Sequence, residues 1–190
     1  MADYLRILTL NDRMIPLADL QRAARTAAVW SVDQPGMPGN YLAIGLQEGE
    51  NPLVWASVER NPVAPNTLGA EEVAEFLDSL ESGGPPSAAR WLTDFLEGCR
   101  AIYAIRIYPD SMGENPDAFE AVYRVRNALR AAVGGIGQWD GYGFTNDDDR
   151  LIWTSLENRP TGRVTAALLD ESTGTWFPFE LDCDSAEEFD

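Results

Sequence analysis

The chain predicts an α+β fold: a mainly antiparallel sheet made by a duplicated strand–helix–hairpin unit, with a helical insert between the copies. Three observations carry this. Two 24-residue segments align without a gap, 98 residues apart. Each alternates apolar and polar residues at the two-residue period of a strand, interrupted by a polar turn cluster. Between and before them, apolar residues recur at helical spacing.

Taken in order, Leu5-Arg6-Ile7 reads as a short strand. A helix is expected over Leu17 to Ala28, with Leu17, Leu20, Ala24 and Ala27 on one side. The first hairpin spans Gly39 to Pro62, turning at EGENP. Thr67 to Leu80 then sets Val73, Phe76, Leu77 and Leu80 at helical spacing. The stretch ESGGPPS breaks the chain, and Ser87 is expected to cap a second helix carrying Ala88, Trp91, Leu92 and Phe95. Ile105-Arg106-Ile107 repeats the opening strand. Asn115, Pro116 and Asp117 suit a helix cap and first turn, an apolar stripe runs through Val122, Val125 and Leu129, and Gly134-Gly135 stops it. The second hairpin spans Gly137 to Pro160, turning at NDDD. Arg163 to Leu169 and Thr175 to Leu181 form a last hairpin, before an acidic tail. The corresponding division is a first repeat over 1–66, an insert over 67–98 and a second repeat over 99–190.

The two aligned segments share seven of 24 positions: Gly39/Gly137, Gly45/Gly143, Leu53/Leu151, Trp55/Trp153, Ser57/Ser155, Glu59/Glu157 and Pro62/Pro160. Strict alternation sorts them by face. Val54, Ala56 and Val58 would pack on a helix, as would Ile152, Thr154 and Leu156. Trp55, Ser57 and Glu59 would share the other face, matched by Trp153, Ser155 and Glu157.

Composition closes most catalytic routes. Histidine is absent, and all fourteen basic residues are arginine. Without imidazole there is no Ser-His or Cys-His pair, and without lysine no Schiff base and no phosphate-loop lysine. What survives is carboxylate chemistry, either a glycosidase-like acid pair or magnesium held by Asp and Glu. No catalytic residue, cofactor or metal ligand is assigned. Cys99 and Cys183 lie far apart, outside any CxxC pattern, and are expected as buried free thiols in a reducing compartment. No apolar run approaches a membrane span and no signal peptide is evident, so the cytoplasm is the expected location. The net charge of −17 repels nucleic-acid phosphates and draws basic proteins. It equally serves solubility, or adaptation to salt.

The candidate partner-binding residues follow from this charge and the repeat. Trp55 and Trp153 would anchor a partner on one exposed sheet surface, ringed by Glu59 and Glu157, unless both rings pack beneath the insert or the C-terminal hairpin. Asp147, Asp148 and Asp149 would steer a basic partner; they lack the spacing of a calcium loop. The loop WDGYGF, Trp139 to Phe144, reads as a ligand loop or as close strand packing around glycine. A competing hypothesis places a small ligand or a carboxylate-dependent reaction in a cleft between the repeats, and it predicts convergent carboxylates with a raised pKa.

The hairpin YLAIGLQEGENPLVWASVE, the helix EEVAEFLDSL and the break GGPPSAARW, from Tyr41 to about Leu92, resemble part of an immunity-protein family. The family belongs to bacterial polymorphic toxin systems and is the type found beside nucleic-acid deaminase toxins. The resemblance covers about a quarter of the chain. It implies a small cytoplasmic α+β inhibitor that plugs the active site of a basic cognate toxin.

Overall fold

The computed structural model describes residues 3–32, 41–47, 52–155 and 160–183. In chain order these form β1 (Asp3–Thr9), α1 (Leu17–Ala24), β2 (Ala28–Ser31), β3 (Tyr41–Leu46), β4 (Leu53–Pro62), α2 (Leu68–Ser79), β5 (Gly83–Gly84) and α3 (Pro86–Glu97). Then follow β6 (Ala101–Ile107), α4 (Pro109–Met112), α5 (Pro116–Val133), β7 (Ile136–Trp139), β8 (Gly143–Thr145), β9 (Leu151–Ser155), β10 (Gly162–Asp170) and β11 (Thr175–Cys183). Ten strands form one path, β11-β10-β9-β8-β7-β1-β6-β4-β3-β2, and β5 adds to β9. Every pairing is antiparallel except β9 with β10. The fold is α+β, as the sequence predicts. Among the described residues, no helix is long and apolar enough to cross a membrane.

The period of two decides which side of the sheet each residue serves. Leu5 and Ile7 of β1 join Ile105 of β6 beneath α1 and α5, where Leu20, Val122, Val125 and Leu129 complete one core. Leu8 and Ile102 project to the opposite side and pack with Val73 of α2 and Leu92 and Leu96 of α3. Helices therefore cover both faces, each over a different part of the sheet.

The helix signals are largely as expected. Thr67 caps α2, accepting from the Ala70 N–H at 3.3 Å, and Asn115 caps α5, accepting from the Asp117 N–H at 3.0 Å. Gly134 ends α5 with φ at 68°. Two boundaries differ. The first helix stops at Ala24 instead of reaching Ala28, because Ala28 opens β2, which pairs with β3. The Gln21 side chain holds that turn, accepting from the Val29 N–H at 2.7 Å and donating to the Ala27 carbonyl at 3.2 Å. The third helix starts at Pro86, so Ser87 lies inside it and caps nothing; proline's fixed φ already suits the first turn.

The segments that align in sequence also differ in structure. Tyr41 to Leu46 is one continuous strand. Its counterpart, Trp139 to Phe144, turns at Asp140-Gly141-Tyr142 between β7 and β8, with Gly141 at φ 71°. Docking differs too: β6 pairs with β4, the last strand of its meander, whereas β1 pairs with β7, the first.

Candidate functional site

Neither Trp55 nor Trp153 is a surface anchor. Trp55 is 2% exposed and Trp153 is 3% exposed. The reason lies in two β-bulges. Ile44 pairs with Ala56 but the next residue, Gly45, pairs with Val54, so Trp55 is an extra residue in β4. A bulge breaks strict alternation, and Trp55 enters the α1/α5 core together with Ala56 and Val58. In the second hairpin Phe144 pairs with Trp153 and Thr145 with Leu151, which leaves Ile152 as the extra residue. The register has also slipped. Leu53 pairs with Leu46, whereas its counterpart Leu151 pairs with Thr145, one position beyond the equivalent Phe144. A one-residue slip exchanges the faces of a strand. Trp153 accordingly lies in the α2/α3 core, edge-on to Phe144 with ring centroids 5.7 Å apart. The two tryptophans stabilise opposite sides of the sheet.

The acidic turn divides its labour. The Asn146 side chain accepts from the N–H groups of Asp148 (3.1 Å) and Arg150 (3.0 Å), which folds the turn back on itself. Asp147 and Asp148 remain exposed, with Asp148 3.1 Å from Arg150. Asp149 is committed elsewhere. It accepts from both Arg126 and Arg130 of α5, with one bond from Arg126 at 2.9 Å. Partial burial pushes this carboxyl up, but the guanidinium bonds of Arg126 and the charge of Arg130 outweigh it and hold Asp149 below the usual carboxylate range. Asp149 is a clamp between turn and helix, not a free steering charge.

Replacing Asp149 by alanine strands the Arg126 side chain, which is only 9% exposed. Because the carboxylate itself is 41% exposed, solvent screens the loss, and a cost of about 2 kcal/mol at neutral pH is expected. A depressed carboxyl pKa stabilises the fold above the unfolded value, near 3.9, and the benefit fades as pH falls through the folded value. Thermal melts should therefore separate parent and D149A by about 4–8 °C at pH 7, and the gap should narrow as the pH falls below the unfolded value. Asp149 has φ 63°, where alanine adds about 1 kcal/mol of strain at every pH. Only a separation in acid as large as that at pH 7 would therefore show that the clamp is not ionic.

Glu59 lines a surface groove, with neighbours the sequence pattern did not supply. It lies beside Tyr4, Asn61 and Ala104 on the sheet and Leu68, Glu71, Glu72 and Glu75 on α2, around a groove of about 310 Å³. Glu72 is neutralised by Arg6, whose guanidinium also bonds Asp140 and Gln138 and sits 5.0 Å over the Tyr4 ring. Glu59, Glu71 and Glu75 have no ion-pair partner among the described residues. Leu68, 55% exposed, forms an apolar lip. Along the sheet, Tyr41, Ser57 and Tyr108 join their hydroxyls, and Arg106 lies 5.2 Å over Tyr108. Glu71 and Glu75 were legible as one i, i+4 acidic stripe of a helix; only the docking of α2 beside β4 puts them near Glu59. Glu157 falls outside the described residues, and so do Leu156, Glu48 and Glu50.

No protein-family model, curated protein or solved structure matches the chain significantly. Among the described residues, no three Asp, Glu or Cys side chains converge closely enough to hold a metal ion. The competing enzyme reading predicted a raised carboxyl pKa; Asp149, one of several carboxylates that line cavities, is shifted down. Cys99 is a buried free thiol, its pKa pushed up by burial, whereas Cys183 is a free thiol only partly buried.

Proposed function

We propose that this chain is a non-catalytic acidic binding protein that seats a basic segment of a partner protein in the groove between α2 and the sheet. In the fuller form of this reading it acts as an immunity protein, masking the cationic active-site surface of a toxin. One observation carries it: Glu59, Glu71 and Glu75 line one groove with no ion-pair partner among the described residues, the groove's Arg6 being paired with Glu72 and Asp140. Folding normally disperses or pairs such charges, because like charges near one another oppose compaction. A lysine or arginine from a partner would relieve that repulsion, while its aliphatic stem could lie on Leu68. The flanking Tyr4, Tyr41, Tyr108 and Arg106 are residue types enriched in protein interfaces. The net charge of −17 would steer the encounter at long range.

The test is capture of a basic partner by the full-length protein, followed by titration in rising salt. Replacing Glu59, Glu71 and Glu75 together by glutamine should weaken binding about 100-fold, largely through slower association, and flatten the salt dependence. Circular dichroism and melting temperature should be unchanged or slightly improved. Co-expression with a toxin encoded beside this chain tests the fuller form, where the parent rescues growth and the triple variant does not. A partner whose affinity ignores both salt and these three residues would refute the groove.

A further inference from the structure

A second concavity lies across the sheet from the acidic groove, between α5 and the β7–β8 turn. It encloses about 270 Å³ and draws on Leu5, Tyr123, Arg126, Trp139, Tyr142 and Thr145. The volume falls just under the usual range of small-molecule pockets, enough for a one- or two-ring compound. Its mouth is aromatic: Tyr123 is 37% exposed and Trp139 is 36% exposed, and the Trp139 and Tyr142 ring centroids stand 5.9 Å apart. Exposed aromatic rings around a hollow are suited to holding another flat ring.

The floor is polar and buried. Thr145 is 8% exposed, yet its hydroxyl has no hydrogen-bond partner among the described residues. Leaving a buried hydroxyl unsatisfied is costly, so such a group is where a ligand atom gains most. Opposite Thr145 in the β7–β8 pairing stands Gly137. A methyl group there would overlap the Thr145 hydroxyl and lie 3.2 Å from Arg126 Nη2. The missing side chain thus lets the Thr145 hydroxyl pack directly on the glycine, beside the Arg126 guanidinium. Arg126 is itself 8% exposed. Both its terminal nitrogens bond Asp149, which also lines the cavity and is shared with Arg130, so that among the described residues two guanidinium charges face one carboxylate.

We propose that this hollow binds a small aromatic anion. The ring lies among Tyr123, Trp139 and Tyr142, and the anionic oxygen accepts from the Thr145 hydroxyl and Arg126 above Gly137. The site stands apart from the acidic groove, and the inference does not rest on the partner-binding reading: an aromatic acid and a basic protein would occupy different faces of the sheet.

The probe is benzoate, titrated calorimetrically into the full-length protein, beside cyclohexanecarboxylate and benzyl alcohol. Benzoate should bind with a dissociation constant of about 1 mM or tighter, in keeping with its size. Cyclohexanecarboxylate, which cannot stack, and benzyl alcohol, which carries no charge, should each bind at least about tenfold more weakly. Thr145→Val keeps the side-chain shape and removes the hydroxyl; about fivefold weaker binding is expected. Gly137→Ala displaces the Thr145 hydroxyl and should abolish binding. Melting curves check that both variants are folded, and Thr145→Val carries the test if Gly137→Ala is not. No heat at 10 mM benzoate, or equal affinity in parent and Thr145→Val, would overturn the proposal. Equal affinity for benzyl alcohol would overturn the anionic part of it.

Discussion

Trp55→Ala lowers stability by about 3–5 kcal/mol, and Trp153→Ala does the same. Each ring is nearly sealed from solvent, and each substitution opens a cavity that neighbouring strands and helices cannot fully close. The informative result is the double variant. Trp55 packs under α1 and α5, whereas Trp153 packs under α2 and α3 on the other side of the sheet. Sites without shared partners add within a few tenths of a kcal/mol. The pair should therefore cost about 6–10 kcal/mol, comparable to the whole stability of a typical domain. Urea denaturation of the two single variants, with the double followed for loss of cooperative unfolding, measures this. A single variant losing under about 1 kcal/mol would place that ring at the surface after all.

The second large effect is expected at Gly143. Its φ is 119°, a conformation that side-chain-bearing residues rarely adopt, and a methyl group there would overlap the Trp153 carbonyl oxygen. Backbone strain costs about 1–3 kcal/mol, and forcing β8 and β9 apart adds about as much again. Gly143→Ala should thus lose about 3–5 kcal/mol or fail to accumulate as folded protein. Gly45 makes an equally close approach, to the Leu53 carbonyl, without the positive φ, so Gly45→Ala should lose about 2–3 kcal/mol. Denaturation midpoints of the two variants give the ranking. Gly45→Ala proving the worse would mean that the approach of the strands, not the dihedral angle, dominates.

Much of the fold could be read from local signals. Asn115, Pro116 and Gly134 bracket α5, Thr67 opens α2, and the ESTG turn joins β10 to β11, because caps and turns are short-range chemistry. The candidate site was less legible. Alternation assigned Trp55 to the face of Glu59, but a single bulged residue sent it into the core; bulges are set by pairing partners and leave little trace in the strand's own sequence. Asp149 read as one of three equivalent carboxylates, since nothing in NDDD announces that α5 brings Arg126 and Arg130 to the third. Glu71 and Glu75 were visible on a helix, yet their proximity to Glu59 depends on a packing made across the sheet. The orphaned Thr145 hydroxyl has no sequence signature at all.

The first strand sits in the middle of the sheet, between β7 and β6, and Leu5 faces Ile105 on one side and Trp139 on the other. Synthesis that has reached Arg100 has therefore supplied neither neighbour of that strand. At about 5–20 residues per second, its hydrogen-bonding groups wait several seconds for company. During that interval the strand presents two unsatisfied flanks, which residues 101–107 and 136–139 later fill from the middle of the sequence.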